Sequence, residues 1–414
     1  MIGIEILTIG TEIVGGTIPD TNFLFLAREL AARGLRCRWH TAVPDDRETL
    51  AAALETALGR ATVIVTTGGL GPTPDDITRK VVATVLKRQL VLREDVVQIL
   101  QDRFARLGRK APPNIQAQAL VPFGCDLIDN ELGSAPGLRL QTEEGRILYA
   151  LPGVPHELER MAERIVLPEI SSLVAGTRIA ERTLRTVGIS ESVLSDRLAG
   201  LAPPNGAIAF LPHLGHVDVH LSVEGPAQAN DAVLDRLIAE AAERIGDAVY
   251  GEGIEELEDV AGRALMERGW RIAVAESLTG GALGARIVRV PGASRYYLGD
   301  VVAYDNGAKV SILGVPEAWI RDHGAVSGPV AEAMAHGVRE RFAADVGVST
   351  TGVAGPDGGS EEKPVGLVYF GICWPGGRIS VRRQLLGARS QVIARSVTTA
   401  LDLVRRVAGG LAVT

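Results

Sequence analysis

The first third of the chain alternates between short apolar runs and stretches with helical spacing of apolar residues. Three segments are predicted to be strands: 4–9, 35–43 and 62–67. A β-α-β-α-β order predicts a parallel sheet covered by helices. In such sheets, ligands bind beyond the carboxyl ends of the strands. We therefore expect the loops that begin at Gly10, Pro44 and Gly68 at one shared edge.

The pattern changes in the middle of the chain. Residues 216–223 alternate strictly and place their aliphatic side chains on one face: Val217, Val219, Leu221 and Val223. A period of two predicts a half-buried strand whose other face contacts water. A helical pattern over 226–245 follows, so this region is predicted to form a small α+β unit.

Together the patterns predict an α/β protein, because 414 residues exceed what one ordinary core holds. We expect an N-terminal α/β domain over 1–171 and a small α+β domain over 172–247. The segment 248–256, with two glycines and several acids, is predicted to be a linker. A C-terminal α/β domain is expected over 257–414.

Composition and charge exclude several classes of protein function. The net charge is −7, which disfavours a protein that coats nucleic acid. The three cysteines are far apart in sequence, so neither a disulfide framework nor a thiolate zinc site is indicated. No apolar run reaches the ~20 residues needed to span a bilayer, and the first residues are typical of a strand rather than a signal peptide. We expect a cytoplasmic protein without membrane contact.

A serine follows the apolar run 271–275 and precedes a predicted helix over 279–288. At such a strand-to-helix turn, the hydroxyl of Ser277 can act as a nucleophile beside unpaired backbone N–H groups, which suit a phosphate or an oxyanion. The alternative interpretation is a serine that only caps the helix. Spacing alone slightly favours this structural role.

A serine nucleophile needs a base, and the sequence leaves several candidates. His323 and His336 are the histidines of the C-terminal domain. Lys309 with Tyr304 is the alternative, because a desolvated lysine loses its proton more readily. Lys309 is equally consistent with a solvated lysine on a helix.

The glycine-rich loop 68–76 follows a predicted parallel strand and contains Asp75 and Asp76. Its N–H groups can cradle a phosphate, and its carboxylates can bind a divalent metal. A plain turn with an aspartate cap is the alternative. Polar loops at 10–12, 130–137 and 151–155 favour a ligand site, because several such loops are expected together.

Three histidines, His213, His216 and His220, invite a zinc interpretation. No carboxylate lies at a firm metal-ligand spacing from them. We therefore expect exposed histidines on a solvated strand.

The chain resembles the CinA family in its two-function form, over nearly its whole length. In the N-terminal part the resemblance is carried by 10–12, 68–76 with Thr78, 130–137 and 151–155. In the C-terminal part it is carried by 275–281, 304–309, 324–327, 351–359 and 363–366. The resemblance implies a molybdopterin-binding-like domain, a KH-like middle domain and a nicotinamide mononucleotide deamidase domain.

For the N-terminal domain, the resemblance implies hydrolysis of ADP-ribose with a divalent metal (Mg²⁺, Mn²⁺ or Co²⁺). Asp76 matches a catalytic and metal-binding aspartate, and Asp45 a second metal ligand. The substrate-binding residues expected there are Gly10, Asn22, Gly68, Gly69, Gly71, Thr73, Gly133, Ser134 and Gly137. The middle domain lacks the Gly-x-x-Gly clamp of nucleic-acid-binding KH domains, so direct nucleic-acid binding is disfavoured.

For the C-terminal domain, the resemblance implies an amidase that needs no cofactor. Ser277 matches the nucleophile, with Tyr304 and Lys309 as its catalytic partners. The residues expected to bind the substrate are Thr279, Gly280, Gly281, Gly355 and Arg389. The family often has Gly-Asp-Arg at 387–389, and this chain departs from that pattern because Ala388 replaces the aspartate.

The expected partners are small nucleotides, nicotinamide mononucleotide and ADP-ribose, and a second copy of the chain in a homodimer. Two alternatives remain open at this point. The N-terminal domain could be a non-catalytic regulator that binds a nucleotide or pterin. The protein could instead be a scaffold in DNA uptake or the DNA-damage response.

Overall fold

The computed structural model describes residues 2–106, 115–173 and 176–413. The chain divides into two compact units. The first comprises Met1–Ala180 with Glu224–Asn230, and the second Glu181–Val223 with Asp231–Thr414.

A six-stranded sheet forms the centre of the first unit. The strands of this unit are β1 (Ile4–Ile9), β2 (Cys37–Val43), β3 (Val63–Thr67), β4 (Leu90–Leu92), β5 (Leu120–Pro122), β6 (Asp126–Ile128), β7 (Gly137–Gln141) and β8 (Ile147–Leu151). The sheet order is β2-β1-β3-β8-β7-β6, while β4 pairs with β5. Strands β2, β1, β3 and β8 are parallel, which confirms the predicted parallel sheet. The antiparallel edge β7-β6 was not predicted.

Helices flank this sheet. They are α1 (Thr11–Val14), α2 (Thr21–Ala32), α3 (Arg47–Arg60), α4 (Thr78–Val85), α5 (Glu94–Arg106), α6 (Ile115–Ala119), α7 (Pro155–Met161) and α8 (Leu167–Leu173). A π-helical turn, Ala162–Val166, joins α7 to α8. The carboxylate of Asp20 caps α2, and that of Asp46 caps α3. Asp45 is therefore not used as the helix cap.

A four-stranded sheet lies mostly in the second unit. It contains β9 (Thr177–Val187), β10 (Gly206–Pro212), β11 (His216–Pro226) and β12 (Val249–Glu252), in the order β10-β11-β9-β12. Helices α9 (Glu191–Arg197) and α10 (Ala227–Ile245) accompany it. The aliphatic face predicted for β11 is buried, but Asp218 and Ser222 on its other face are buried too. The prediction of a wet outer face was wrong at these two residues, and at Asp218 the face is covered by the side chains of Arg185 and His213.

The segment predicted as a linker over 248–256 is instead partly a strand. Strand β12 pairs antiparallel with β9. Tyr250 is buried, and its hydroxyl accepts a hydrogen bond from Arg185 Nε at 3.0 Å. An aromatic side chain with a satisfied hydroxyl stabilises a sheet edge, and this outweighs the flexibility that the glycines suggested.

The C-terminal part contains a five-stranded sheet. Its strands are β13 (Ile272–Glu276), β14 (Tyr297–Val302), β15 (Val346–Gly352), β16 (Leu367–Trp374) and β17 (Gly377–Gln384), in the order β14-β13-β15-β16-β17. The helices are α11 (Leu257–Arg268), α12 (Ala282–Ile287), α13 (Asn306–Leu313), α14 (Glu317–His323), α15 (Gly328–Arg341) and α16 (Arg389–Gly409). Strands β14, β13 and β15 are parallel, so the segments that follow them meet at one edge. No helix in the described ranges is long and apolar enough to cross a membrane.

Candidate functional site

Ser277 lies directly after β13, the buried strand between β14 and β15. Its N–H donates to the carbonyl of Thr350 at 3.0 Å, and its carbonyl accepts from Gly280 N at 3.2 Å. The side chain is 9% exposed and makes no hydrogen bond within the described residues. The backbone thus fixes the turn, while the hydroxyl stays available for chemistry.

Two consecutive glycines precede the next helix and move its first residue further along the chain. Gly280 and Gly281 have φ angles of 59° and 100°, a region that other residues rarely adopt. Helix α12 therefore begins at Ala282, three residues later than the sequence predicted. The N–H groups of Leu278 and Thr279 have no hydrogen-bond acceptor in the described parts of the chain. Both follow Ser277 directly, where an oxyanion would form.

Glu276 is the last residue of β13, and its buried side chain lies at the N-terminus of α12. Its fully buried carboxylate accepts from the N–H groups of Gly281, Leu283 and Gly284 at 2.9, 3.1 and 2.7 Å. These are the N–H groups that a phosphate at this helix start would need. Gly280 and Gly281 were expected near a substrate phosphate at this helix start, but neither has a free N–H group, because Gly280 N donates to Ser277 O and Gly281 N to Glu276. Thr279 alone of the three predicted residues keeps an unbonded N–H.

A second carboxyl group lies beside Glu276. Asp300 on β14 is opposite Val274 in the sheet register. Burial, together with the hydrogen bond to Glu276 and its charge, raises the pKa of Asp300 to about 8. Two buried carboxyl groups in contact favour sharing one proton. Asp300 therefore keeps its proton to a higher pH than an exposed aspartate does, while the α12 N–H groups donate to the Glu276 carboxylate.

Replacing Asp300 by asparagine is expected to change how stability depends on pH. Between the ordinary pKa of 3.8 and about 8, folded Asp300 binds a proton that the unfolded chain releases. The wild type therefore loses stability as pH rises through this window. The introduced amide still donates to Glu276 without titrating, so D300N should flatten this slope and raise the urea midpoint at pH 8 to 9. Tryptophan fluorescence can follow the unfolding.

The exposed carboxylate of Asp322 on α14 provides the matched control. D322N should keep the wild-type slope. An unchanged slope in D300N would contradict the shared proton.

Tyr304 and Lys309 follow β14, beside the Ser277 turn. Ala303 N donates to Glu276 O at 2.8 Å, which holds these two segments together. Lys309 is 2% exposed, and its Nζ donates to the carbonyl of Tyr304 at 3.3 Å. Burial lowers the pKa of Lys309, an effect that the charge of Asp305 opposes. A buried amine with a lowered pKa suits a general base.

Arg389 is hydrogen-bonded to two other predicted residues. Its Nη2 donates to Tyr304 Oη at 2.8 Å and its Nη1 to the carbonyl of Gly355 at 2.9 Å. Arg389 is the exposed first residue of α16, a helix of 21 residues. Its own N–H and that of Ser390 have no acceptor in the described residues. An arginine at the start of a long helix suits a phosphate.

His323 and His336, the other two candidate bases for Ser277, make contacts with other parts of the C-terminal domain. His336 lines a cavity of about 180 Å³ with Trp319 and Arg378. His323 is exposed, and its carbonyl accepts from Lys363 Nζ at 2.6 Å. Neither side chain is hydrogen-bonded to Ser277 in the described structure. Of the three candidate bases, Lys309 belongs to the segment that is hydrogen-bonded to the residue before Ser277, through Ala303 N and Glu276 O.

A cavity of about 390 Å³ lies at the carboxyl edge of the N-terminal sheet. It is lined by Ile9, Gly10, Glu12, Asp45, Gly68, Gly69, Leu70, Gly71, Pro72, Asp75, Asp76, Gln118, Ser134, Ala135, Pro152, Gly153, Val154 and Glu157. The polar loops expected at one edge therefore do converge. Five of these residues are acidic and none is lysine or arginine, so the cavity is strongly negative.

The glycines after β3 have a steric reason. A Cβ on Gly68 would lie 2.2 Å from the carbonyl oxygen of Ile9, and one on Gly69 would lie 2.3 Å from Thr78 Oγ1. Both residues also have positive φ angles. The loop passes so close to its neighbours that only glycine fits.

Asp76 organises the loop that lines the cavity. Its Oδ1 accepts from Gly71 N at 2.7 Å, and its Oδ2 accepts from Thr73 N at 2.8 Å and from the Thr73 hydroxyl. Buried Arg79 donates to the carbonyls of Leu70 and Gly71. Thr73 thus contacts Asp76 rather than the cavity.

The carboxylate of Asp45 has one oxygen without a hydrogen bond in the described part of the chain, unlike that of Asp76. Its Oδ2 accepts from the N–H and the hydroxyl of Thr11 at 2.9 and 3.1 Å. Its Oδ1 accepts no hydrogen bond within the described residues. This oxygen is the carboxylate atom best suited to bind a cation.

Three predicted ligand residues have structural positions instead. Asn22 is buried and donates to Thr67 Oγ1 and the Gly153 carbonyl. Gly137 begins β7, where a Cβ would lie 3.1 Å from Ile128. Gly133 packs against the carboxylate of Glu157, which would clash with any side chain there.

Two lining residues were missed by the sequence reasoning. Glu157, in the first turn of α7, accepts from Asn130 Nδ2 at 2.6 Å. Buried Gln118 donates to Ser134 Oγ at 3.2 Å. The acid after Pro155 was the available signal for Glu157, whereas nothing in the pattern marked Gln118.

Comparisons with known proteins agree across the chain. The "Probable molybdopterin binding domain" model matches residues 5–172, the "Damage-inducible protein CinA KH domain" model 181–251, and the "CinA C-terminal domain" model 254–408.

Whole-length relatives exist among curated proteins. A CinA-like protein of Gemmatimonas aurantiaca is 44% identical over 409 residues, covering 97% of this chain and 96% of its own. A CinA-like protein of Salinibacter ruber is 40% identical over 405 residues, covering 97% and 98%. A solved structure of the competence/damage inducible protein CihA from Agrobacterium tumefaciens is 36% identical, covering 35% of this chain and 91% of its own, with a TM-score of 0.34. The chain belongs to the CinA family, with a molybdopterin-binding-like domain, a KH-like domain and a CinA C-terminal domain.

Proposed function

We propose that the C-terminal domain hydrolyses the carboxamide of nicotinamide mononucleotide to nicotinate mononucleotide and ammonia. The observation that carries this is the unbonded hydroxyl of Ser277, which precedes two unbonded N–H groups at a strand end. A nucleophile beside oxyanion donors is what acyl transfer from an amide requires. The family resemblance supplies the identity of the amide.

The steps of the proposed reaction follow from these groups. Lys309 accepts the hydroxyl proton, with the Tyr304 phenol as a relay, while Ser277 Oγ bonds to the carboxamide carbon. The carbonyl electron pair moves to oxygen, where the N–H groups of Leu278 and Thr279 stabilise it. When the carbonyl re-forms, the C–N bond breaks and the proton from Lys309 leaves with ammonia. Water then cleaves the ester, and Ser277 regains its proton.

We place the substrate phosphate at the start of α16. Arg389 uses two of its N–H groups for Tyr304 and Gly355 and keeps others for a ligand. The unbonded N–H groups of Arg389 and Ser390 add to the positive end of the helix dipole. This site replaces the α12 start, which Glu276 closes.

Incubation with nicotinamide mononucleotide, followed by ammonia release and product mass, tests the proposal. The riboside without its phosphate should react with a higher KM. If neither compound releases ammonia, the deamidase proposal fails.

For the N-terminal domain, we propose hydrolysis of ADP-ribose to AMP and ribose 5-phosphate with a divalent metal. The acidic cavity supports this, because five lining carboxylates without a lining cation would repel a pyrophosphate. Oxygen donors of this kind suit Mg²⁺ or Mn²⁺. Asp45 and Asp76 would hold the ion, and Asp45 Oδ1 is the unbonded oxygen.

A bound metal would neutralise pyrophosphate charge and lower the pKa of a bound water. The protein's own residues do the positioning. The N–H groups of Gly69 and Leu70 have no acceptor among the described residues and are available to the ligand. Asp76 holds the loop that carries them, and Glu157 fixes another wall of the cavity through Asn130.

Chelation should abolish ADP-ribose hydrolysis and leave ammonia release unchanged. D45N should lower kcat by about 10²-fold or more, because it removes charge from the metal-binding oxygens. The rate at which AMP and ribose 5-phosphate form in the presence of Mg²⁺ or Mn²⁺ measures this kcat. E48Q, which removes an exposed acid from α3, serves as the control and should be unaffected. Hydrolysis that survives chelation would contradict the metal requirement.

The second candidate is a non-catalytic N-terminal domain that binds a nucleotide or pterin. The hydrogen bonds of Asp76 favour this second candidate, because both carboxylate oxygens already accept from N–H groups of the loop and are less available to a metal ion. Binding of ADP-ribose without turnover would identify this case. A DNA scaffold, which the names of damage-inducible relatives suggest, is disfavoured by the net charge of −7.

A further inference from the structure

Two histidines and an aspartate meet at the turn between β10 and β11. His213 follows β10, His216 begins β11, and Asp218 lies two residues further on. The N–H of His213 donates to the carbonyl of His216 at 2.9 Å, and Gly215 has a φ of 94°. The turn therefore brings His213 back over His216.

The three side chains have the separations of an incomplete metal site. His213 Nε2 is 3.1 Å from Asp218 Oδ2, and His216 Nε2 is 3.9 Å from Asp218 Oδ1. One ligand atom from each residue lies within 4.8 Å of the others. Ligand atoms around a tetrahedral zinc ion are about 3.3 Å apart. Small rotations of the two rings, which stack at 4.6 Å, would complete the geometry.

The burial of Asp218 and the unbonded state of one of its oxygens among the described residues also favour a ligand, although Arg185 is close to it. The side chain of Asp218 is 8% exposed, and its Oδ1 is buried without a hydrogen bond within the described residues. Arg185 Nε lies 3.2 Å from this oxygen, and Glu256 partly offsets the arginine charge from 3.2 Å away. The His213 side chain is 46% exposed, which leaves a path for an ion.

We propose that His213, His216 and Asp218 bind a divalent transition metal ion of the zinc class, with water as the fourth ligand. Two imidazole nitrogens select zinc-like ions over Mg²⁺ or Ca²⁺, which prefer oxygen. The positive charge of Arg185 also weakens any purely electrostatic binding. The sequence-based preference for solvated histidines rested on a missing carboxylate, and the fold supplies one in Asp218.

His220 does not belong to this site. Its Nε2 is 3.4 Å from Glu181 Oε2, and its Nδ1 is 3.1 Å from Thr183 Oγ1. It is a histidine of the same strand with a carboxylate partner, and therefore a matched control.

The bound ion cross-links both ends of the hairpin turn. Gly215 at its tip packs against Thr398 of α16, where a Cβ would lie 3.0 Å from Thr398 Cβ. Metal binding is thus expected to stiffen the contact between the KH-like hairpin and α16.

Zinc titration of the chelator-treated full-length protein by calorimetry tests this proposal. Excess Mg²⁺ keeps the carboxylate cavity of the N-terminal domain occupied. We expect one zinc ion per chain in the wild type and H220A, and binding at least about tenfold weaker in H213A and H216A. Zinc should raise the Tm of the wild type more than that of H213A.

Cobalt substitution gives an independent readout. Its absorption should show nitrogen and oxygen ligands and no thiolate charge-transfer band, which excludes the cysteines. If H216A fails to fold, the exposed His213 position decides the result. Zinc binding that is absent in the wild type, or equal in the wild type and H213A, would overturn the proposal.

Discussion

S277A should reduce deamidation of nicotinamide mononucleotide by about 10³-fold or more, because loss of a nucleophile removes the covalent route. The fold should survive, since the Ser277 hydroxyl makes no hydrogen bond within the described residues and the turn is held by the backbone. Ammonia release measures the activity, and circular dichroism with urea unfolding measures the fold.

Ser311 offers the matched control. Its hydroxyl donates only to the Gly307 carbonyl within its own helix, α13, so S311A should stay active. ADP-ribose hydrolysis by S277A should also equal that of the wild type. Substantial deamidation by S277A would show that water attacks the amide directly.

K309M is expected to lower kcat by about 10²- to 10⁴-fold, the usual contribution of a general base. In the wild type, kcat/KM should rise with pH through the pKa of Lys309, which burial places below its ordinary 10.5. This limb should disappear in K309M. Ammonia release across a pH series measures both effects.

The K309M substitution should raise the stability of the protein while it lowers the activity. Folded Lys309 loses its proton more readily than the unfolded chain, so wild-type stability rises with pH until about 10.5. K309M avoids the burial of charge. Its advantage in urea midpoint should be largest at low pH and shrink towards the ordinary pKa.

Lys363 provides the control, because its Nζ donates to the exposed His323 carbonyl. K363M should change neither the pH limb nor the midpoint by a comparable amount. A pH limb that persists in K309M would assign the base to another group.

The sequence predicted the parallel strands well because aliphatic residues dominate their short runs. Strands β1 and β3 are buried at every position, and the few polar residues within them do not disturb the pattern. The loops after them could be placed at one edge because parallel strands end together. The convergence of Gly10, Asp45 and Gly68 on one cavity follows directly.

What the sequence could not predict depends on partners distant in the chain. No role was predicted for Glu276 from the sequence, yet its carboxylate accepts hydrogen bonds from N–H groups at the start of the next helix. Asp218 occupied the polar half of an alternating pattern, and only the hairpin turn brings His213 to it. Polar residues satisfied by tertiary contacts leave no periodic signal.

The carboxylate of Glu276 has a consequence for how the proposed deamidase would bind its substrate. A loop that wraps a phosphate commonly becomes ordered only when the anion arrives, and part of the binding energy is lost to that ordering. Here the side-chain oxygens of Glu276 already accept hydrogen bonds from the N–H groups in that position. The Ser277 turn is therefore preorganised before any ligand binds, and under the proposed mechanism phosphate recognition at Arg389 could vary without disturbing Ser277.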